Sequence, residues 1–176
     1  MIEEKLKRVI RDIPDFPSPG IMFKDITPVL KDPQLCTEMV DAFVDQLAGI
    51  HVDAVTGIES RGFLFGLMLA NRLQVPFVPI RKVGKLPCLT IKQEYDLEYG
   101  AAVIEMHTDA FHLGSKILVH DDLLATGGTV EAASKLIQQL GGEVVAYSFI
   151  VSLDFLGGDI RLKPFSNNIF KLVSYP

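Results

Sequence analysis

The sequence predicts an α/β protein: a parallel-centred sheet flanked by helices, with a small irregular appendage at the N-terminus. Three observations predict it. Short, almost wholly apolar runs recur at 54–58, 76–80 and 117–119, as in strands buried on both faces. Helically spaced apolar residues follow the first and third, which gives strand, loop, helix and strand again. The stretch 15–28 carries three prolines and a glycine, which forbid regular structure over its first half, and it fits neither pattern.

The 176 residues suit one domain with a sizeable core, divided into an appendage of about 1–32 and a core of about 33–176. Hydrophobic residues make up 48%, which excludes a disordered chain, and the net charge of −5 argues against nucleic acid as a partner. An anionic ligand must therefore meet local basic groups or a cation rather than the overall field. Cys36 and Cys88 are the only cysteines and form no paired spacing, so a cytoplasmic location fits. The N-terminus is amphipathic rather than a signal peptide, and no apolar run is long enough to span a membrane.

Taken in order, Ile2, Leu6, Val9, Ile10 and Ile13 predict a first helix that Pro14 ends. Leu35, Met39, Val40, Phe43, Val44 and Leu47 predict a helix from Asp32 or Pro33 to Ala48, with Asp32 as N-cap and Gly49 closing it. A strand over 54–58 leads through Glu59-Ser60-Arg61-Gly62 into a helix over 63–73. A strand over 76–80 runs into Arg81-Lys82-Val83-Gly84-Lys85, three cations in five residues. From Lys82 to Glu98 no periodicity stands out. An irregular connection of that length is usually functional or mobile, which suggests a flap. Ala102, Ile104 and Met106 predict a half-covered strand. Beyond the 117–119 strand and its helix come a strand over 143–153, a loop over 154–163 and an edge strand over 168–174.

The chemistry concentrates at Ile117–Thr129. The strand is followed by Asp121 and Asp122, then by the small-residue loop Ala125-Thr126-Gly127-Gly128-Thr129 and a helix carrying Val130, Ala133, Leu136, Ile137 and Leu140. Backbone N–H groups of such a loop and of a helix N-terminus converge on an anion, and glycines let the backbone approach it. The two acids repel a phosphate and so must face hydroxyls or a cation. A sugar phosphate satisfies both. Neither GxxxxGK[ST] nor GxGxxG is present.

This stretch resembles the 5-phosphoribosyl 1-diphosphate (PRPP) motif of type I phosphoribosyltransferases, and Asp-Asp-Leu-Leu-Ala-Thr-Gly-Gly-Thr resembles its adenine-specific form. The fold implied is that family's parallel-centred sheet with a small N-terminal hood. The resemblance implies that Asp121 and Asp122 hold the ribose and that Ala125, Thr126, Gly127, Gly128 and Thr129 hold the 5′-phosphate. It implies that Ser60, Arg61, Arg81, Lys82 and Lys85 meet the diphosphate, with a cis bond between Glu59 and Ser60. The stretch 15–28 resembles the hood, so Met22 would pair its backbone with the adenine edge, with Phe23, Lys24 and Leu123 around the base. Lys24 stands where family members often carry Arg. Leu97-Glu98-Tyr99-Gly100 matches the end of the flap, with Glu98 as the acid/base and Tyr99 beside it. His120 departs from the family's usual apolar residue and reads as a packed side chain.

What the resemblance implies is a glycosyltransferase of purine salvage: adenine plus PRPP gives AMP and diphosphate, with Mg²⁺ held mainly by substrate and water, in a cytoplasmic homodimer. A transferase for a 6-oxopurine or orotate remains an alternative, as does a non-catalytic PRPP sensor. The hood sequence argues against the first. Against the second stand the acidic balance and the lack of residues left over for a DNA-binding segment.

Overall fold

In the computed structural model, which describes residues 1–96 and 100–176, the chain forms a seven-stranded sheet and a separate two-stranded hairpin. Helix α1 (Ile2–Val9) carries Glu3 and Glu4 in its first turn and Lys7 and Arg8 in its last, which suits the helix dipole. It ends before Ile13, earlier than the apolar spacing suggests. Ile13 lies instead in β1 (Arg11–Pro14), opposite Phe23 of β2 (Met22–Asp25), in an antiparallel pair. A residue three positions past a helix repeat also alternates correctly for a strand, so spacing alone could not separate the two. Between the strands, Gly20 at φ +89° donates its N–H to Asp15 Oδ1 at 2.7 Å, and Phe16–Pro17 is cis.

Helix α2 (Pro33–Gln46) starts as its sequence dictates. Asp32 Oδ1 accepts the Leu35 N–H at 3.0 Å, and Pro33 takes the first helical position. The large sheet then uses β3 (Ala54–Ile58), β4 (Phe77–Lys82), β5 (Thr90–Asp96), β6 (Ala101–His107), β7 (Lys116–Leu124), β8 (Glu143–Leu153) and β9 (Ile169–Tyr175). Their order is β5-β6-β4-β3-β7-β8-β9. The five strands from β4 to β9 are parallel, and β6 is antiparallel to both its neighbours. Helix α3 (Arg61–Leu73) joins α1 and α2 on one face, around Phe43, Phe65 and Leu69. Helix α4 (Gly128–Gln139) covers the other, around Leu136, Tyr147 and Phe149.

Three further differences from the sequence reading bear on the site. The stretch after Lys82 is not irregular throughout: β5 occupies 90–96, with Lys92, Glu94 and Asp96 outward and Ile91, Gln93 and Tyr95 partly covered. An edge strand this polar hides its alternation, and charge on its outer face keeps the edge from pairing further. Strand β7 continues past Val119 to Leu124, so Asp121 and Asp122 lie on the strand rather than after it. The loop after β8 contains a short helix, α5 (Gly158–Leu162).

Candidate active site

Strands β3 and β7 are adjacent and parallel, yet their following helices lie on opposite faces of the sheet. At such a switch point the loops diverge and leave a crevice outside the carboxyl ends of the strands. A cleft of about 360 Å³ lies there, lined by Ser60, Arg61, Lys82, Tyr95, Asp121, Asp122 and Thr129 among others. Residues from four separate stretches of sequence thus meet in one place.

The floor is the acid pair. Asp122 is buried, and its Oδ2 lies 2.9 Å from Arg61 Nε without the alignment of a hydrogen bond. Asp121 Oδ1 accepts the Asp122 N–H at 2.9 Å. Burial pushes both carboxyls up. The Asp122 charge pushes Asp121 further, while Arg61 pulls Asp122 back. Two acids held this way favour a ligand that brings hydroxyl donors or a cation. Gly62 makes the arrangement possible, because a Cβ there would stand 2.9 Å from Asp121 Oδ1 and 3.0 Å from the His120 carbonyl.

The end of β7 supplies the anion cradle. Gly127, at φ +80°, is the N-cap of α4, so Gly128 and Thr129 stand in the first turn, where N–H groups have no intrahelical partner. The loop is backed by α5: a Cβ at Gly127 would lie 2.6 Å from the Gly158 carbonyl.

The opposite wall is basic. The Glu59–Ser60 peptide is cis, as the resemblance implied. Glu59 receives Arg81 through Nε at 3.0 Å and Nη2 at 3.2 Å, and it also accepts the Lys82 N–H at 3.0 Å. Arg81 Nη1 donates to the Lys85 carbonyl at 3.0 Å. Three of its donors are therefore engaged within the protein, and the Arg81 hydrogen bond is the leading reason that Glu59 titrates below the usual range.

The hood reaches the same wall. The Arg61 guanidinium sits 5.0 Å from the Phe23 ring centre, and Phe16 packs edge-on to Phe23 at 5.1 Å. Met22 is half exposed and pairs with Pro14, which has no N–H to offer it. The Lys24 ammonium is 2.7 Å from Asp12 and 3.8 Å from the Tyr175 ring centre, an arrangement that ties the hood to the last strand. Leu123 is partly buried against the α2–α3 side of the core. Glu98 and Tyr99 lie outside the described residues.

His120 is packed, as expected. It is fully buried, its Nδ1 is 2.9 Å from Ser148 Oγ, and its ring stands edge-on to Phe43 at 5.7 Å. Burial holds the imidazole neutral, with its pKa down to about 3.

A sequence model of the phosphoribosyl transferase domain matches residues 27–154. A protein of Cytophaga hutchinsonii named adenine phosphoribosyltransferase is 54% identical over 99% of this chain and 97% of its own length. The chain belongs to the adenine phosphoribosyltransferase family. A crystal structure of an adenine phosphoribosyltransferase from Thermoanaerobacter pseudethanolicus superposes with a TM-score of 0.95 at 46% identity, covering 99% of this chain and all of the other. One from Saccharomyces cerevisiae, solved with an imino-altritol bisphosphate and adenine, gives 0.91 at 39% identity, covering 97% and 98%.

Within this adenine phosphoribosyltransferase relative, the sequence missed three contributors to the cleft. Glu59 stood in the quoted loop without a role. Tyr95 lay in the stretch read as irregular, because its charged neighbours hide the alternation with Ile91 and Gln93. Gly158 backs the glycine loop from far along the chain, and no local signal marks it.

Proposed function

We propose that this protein transfers the 5-phosphoribosyl group of PRPP to adenine, releasing diphosphate and forming AMP. The observation that carries the proposal is the meeting of the acid pair, the glycine loop and the basic wall in one cleft, with the hood beside it. In this reading Asp121 and Asp122 accept hydrogen bonds from the ribose hydroxyls. The N–H groups of Ala125–Thr129 and the hydroxyls of Thr126 and Thr129 take the 5′-phosphate. Ser60, Arg61, Lys82 and Lys85 face the diphosphate, with Arg81 both a neighbour and a strut. Fixing donor and acceptor this way supplies orientation, and the fixed dipoles favour the departing anion.

The base would sit against Phe23 and Leu123, with Lys24 at the hood's far side. Met22, half exposed, would offer its backbone carbonyl and N–H to the base. That pair matches the N6 donor and N1 acceptor of adenine. A 6-oxopurine reverses the pattern and leaves two groups unpaired, each costing about 1–3 kcal/mol. Glu98 would take the proton that the attacking purine sheds, with Tyr99 beside it.

The donor set also fits a metal ion brought in with the substrate. Asp121 and Asp122 offer carboxylates at the cleft, while no cluster of three or more acidic, His or Cys side chains among the described residues could cage an ion. Mg²⁺ bound largely by substrate oxygens and water would neutralise the leaving diphosphate.

The proposal extends to a cytoplasmic homodimer, with 1–32 as hood and 33–176 as core, acting on small molecules rather than nucleic acid or membrane. No helix among the described residues is long and apolar enough to cross a membrane. Turnover with PRPP, Mg²⁺ and a panel of bases tests the function. Adenine should exceed hypoxanthine in kcat/KM by at least roughly 10³, from two mismatched hydrogen bonds. Comparable rates would rule out the adenine assignment.

A further inference from the structure

We infer that Glu105 is a positioning residue whose buried carboxylate fixes the basic turn at 82–85 in the shape that meets diphosphate. The inference rests on the reading of that turn as a diphosphate site.

Glu105 lies in the middle of β6 and is only 2% exposed. Its partners in register are Arg81 of β4 and Lys92 of β5, yet neither forms an ion pair with it. Its oxygens go to the turn instead. Oε1 accepts the N–H groups of Lys85 and Leu86, each at 2.9 Å. Oε2 accepts the Thr90 hydroxyl at 3.2 Å. Burying a carboxylate is costly unless donors replace its water. Here burial pushes the pKa up, but the N–H groups of Leu86 and Lys85, the Thr90 hydroxyl and the Gly84 N–H outweigh it and hold the group below its ordinary value. Donors therefore over-compensate the burial, as in a built anion site whose anion is a side chain.

The turn needs such an anchor. Arg81, Lys82 and Lys85 crowd three positive charges around Gly84, whose φ of +81° makes the reversal. Glu59 holds the turn from the β3 side through Arg81 and the Lys82 N–H, and Arg81 closes it on the Lys85 carbonyl. Glu105 holds it from the β6 side. It also ties the start of β5 through Thr90, so one carboxylate fixes both ends of the segment 85–90. Leu89, between those ends, is 77% exposed and does little to hold the segment. Without Glu105 the lysines would have to be ordered by the ligand, and that ordering would weaken binding. Glu105 acts through the backbone of the turn and touches no reacting atom.

The test separates ligands that use the turn from one that does not. Diphosphate would need the turn, whereas AMP would use only the glycine loop, the acid pair and the hood. The full-length protein is titrated calorimetrically with Mg²⁺-diphosphate and, separately, with AMP. Glu105→Gln should raise the diphosphate Kd roughly tenfold, on the scale of one lost charge-assisted hydrogen bond, and leave the AMP Kd within about twofold. Hydrogen exchange at the Lys85 and Leu86 amides should speed up in the same variant. Thr90→Val, a milder change at a partly exposed site, should move the diphosphate Kd in the same direction by about twofold, and it decides the question if Glu105→Gln does not fold. The double variant Lys82→Ala plus Lys85→Ala tests the underlying reading. If it leaves diphosphate affinity intact, the turn is no diphosphate site and the inference falls with it. If the lysine variant weakens diphosphate and Glu105→Gln does not, the inference alone is overturned. Equal weakening of AMP and diphosphate in Glu105→Gln would also overturn it, since that is what general loosening of the fold produces.

Discussion

His120 should make this protein lose stability in mild acid. The ring is fully buried, its Nε2 has no partner among the described residues, and its pKa falls from 6.5 to about 3 in the folded state. An unfolded chain binds a proton at this side chain near pH 6.5, and the folded chain does not until about pH 3. The unfolded state therefore binds more protons throughout that window. Stability from this group is complete above pH 6.5 and falls by about 1.4 kcal/mol for each unit below it. Between pH 8 and pH 5 the loss is about 2 kcal/mol.

Other groups titrate in that range, so the variant His120→Gln supplies the reference. Glutamine cannot titrate, and its amide can still meet Ser148 Oγ. Reversible urea unfolding of both proteins at fixed protein concentration, at pH 8 and pH 5, gives the two differences in stability. Relative to the variant, the native protein should lose about 2 kcal/mol on going from pH 8 to pH 5. A difference that stays constant within about 0.5 kcal/mol between the two pH values would refute the reasoning, whatever its absolute size.

The acid pair and Glu98 give two further expectations. Asp121→Asn combined with Asp122→Asn should abolish turnover while circular dichroism stays native, because ribose placement and charge are lost together; more than about a tenth of the native rate would mean that the acids do not hold the ribose. Glu98→Gln should lower kcat by roughly 10²–10⁴ with little change in PRPP affinity, and a loss under about fivefold, or one confined to KM for PRPP, would leave Glu98 without a proton-transfer role.

Much of the fold was legible because buried parallel strands announce themselves. The run Ala54–Ile58 has no exposed residue, and its predicted bounds coincide with β3. The 143–153 strand coincides with β8 in the same way. The N-cap Asp32 was readable because capping is chemistry between near neighbours. What escaped was set by distant partners. Strand β5 is stabilised by pairing with β6 and by cover from α4, for example Gln139 to Gln93 at 2.8 Å, rather than by its own apolar content. Ile13 belongs to a strand only because Phe23 is opposite. At the site, the residue types that bear charge were visible in the sequence, but their engagement was not. That Arg81 is already held by Glu59, and Lys24 by Asp12, follows from tertiary geometry.

The close fit of Gly127 against Gly158 has a consequence for where this protein can be cut. The segment that the phosphoribosyl transferase domain model matches runs from residue 27 to residue 154, ending before α5 begins. A fragment trimmed to those limits would keep the acids, the glycine loop and the basic wall. It would lose the surface against which the loop is moulded, and with it the hood hairpin and the β9 strand whose Tyr175 meets Lys24. The stretch sufficient to recognise the protein is thus shorter than the stretch needed to shape its cradle. Gene fusions or split versions should place their junctions accordingly, outside the last strand.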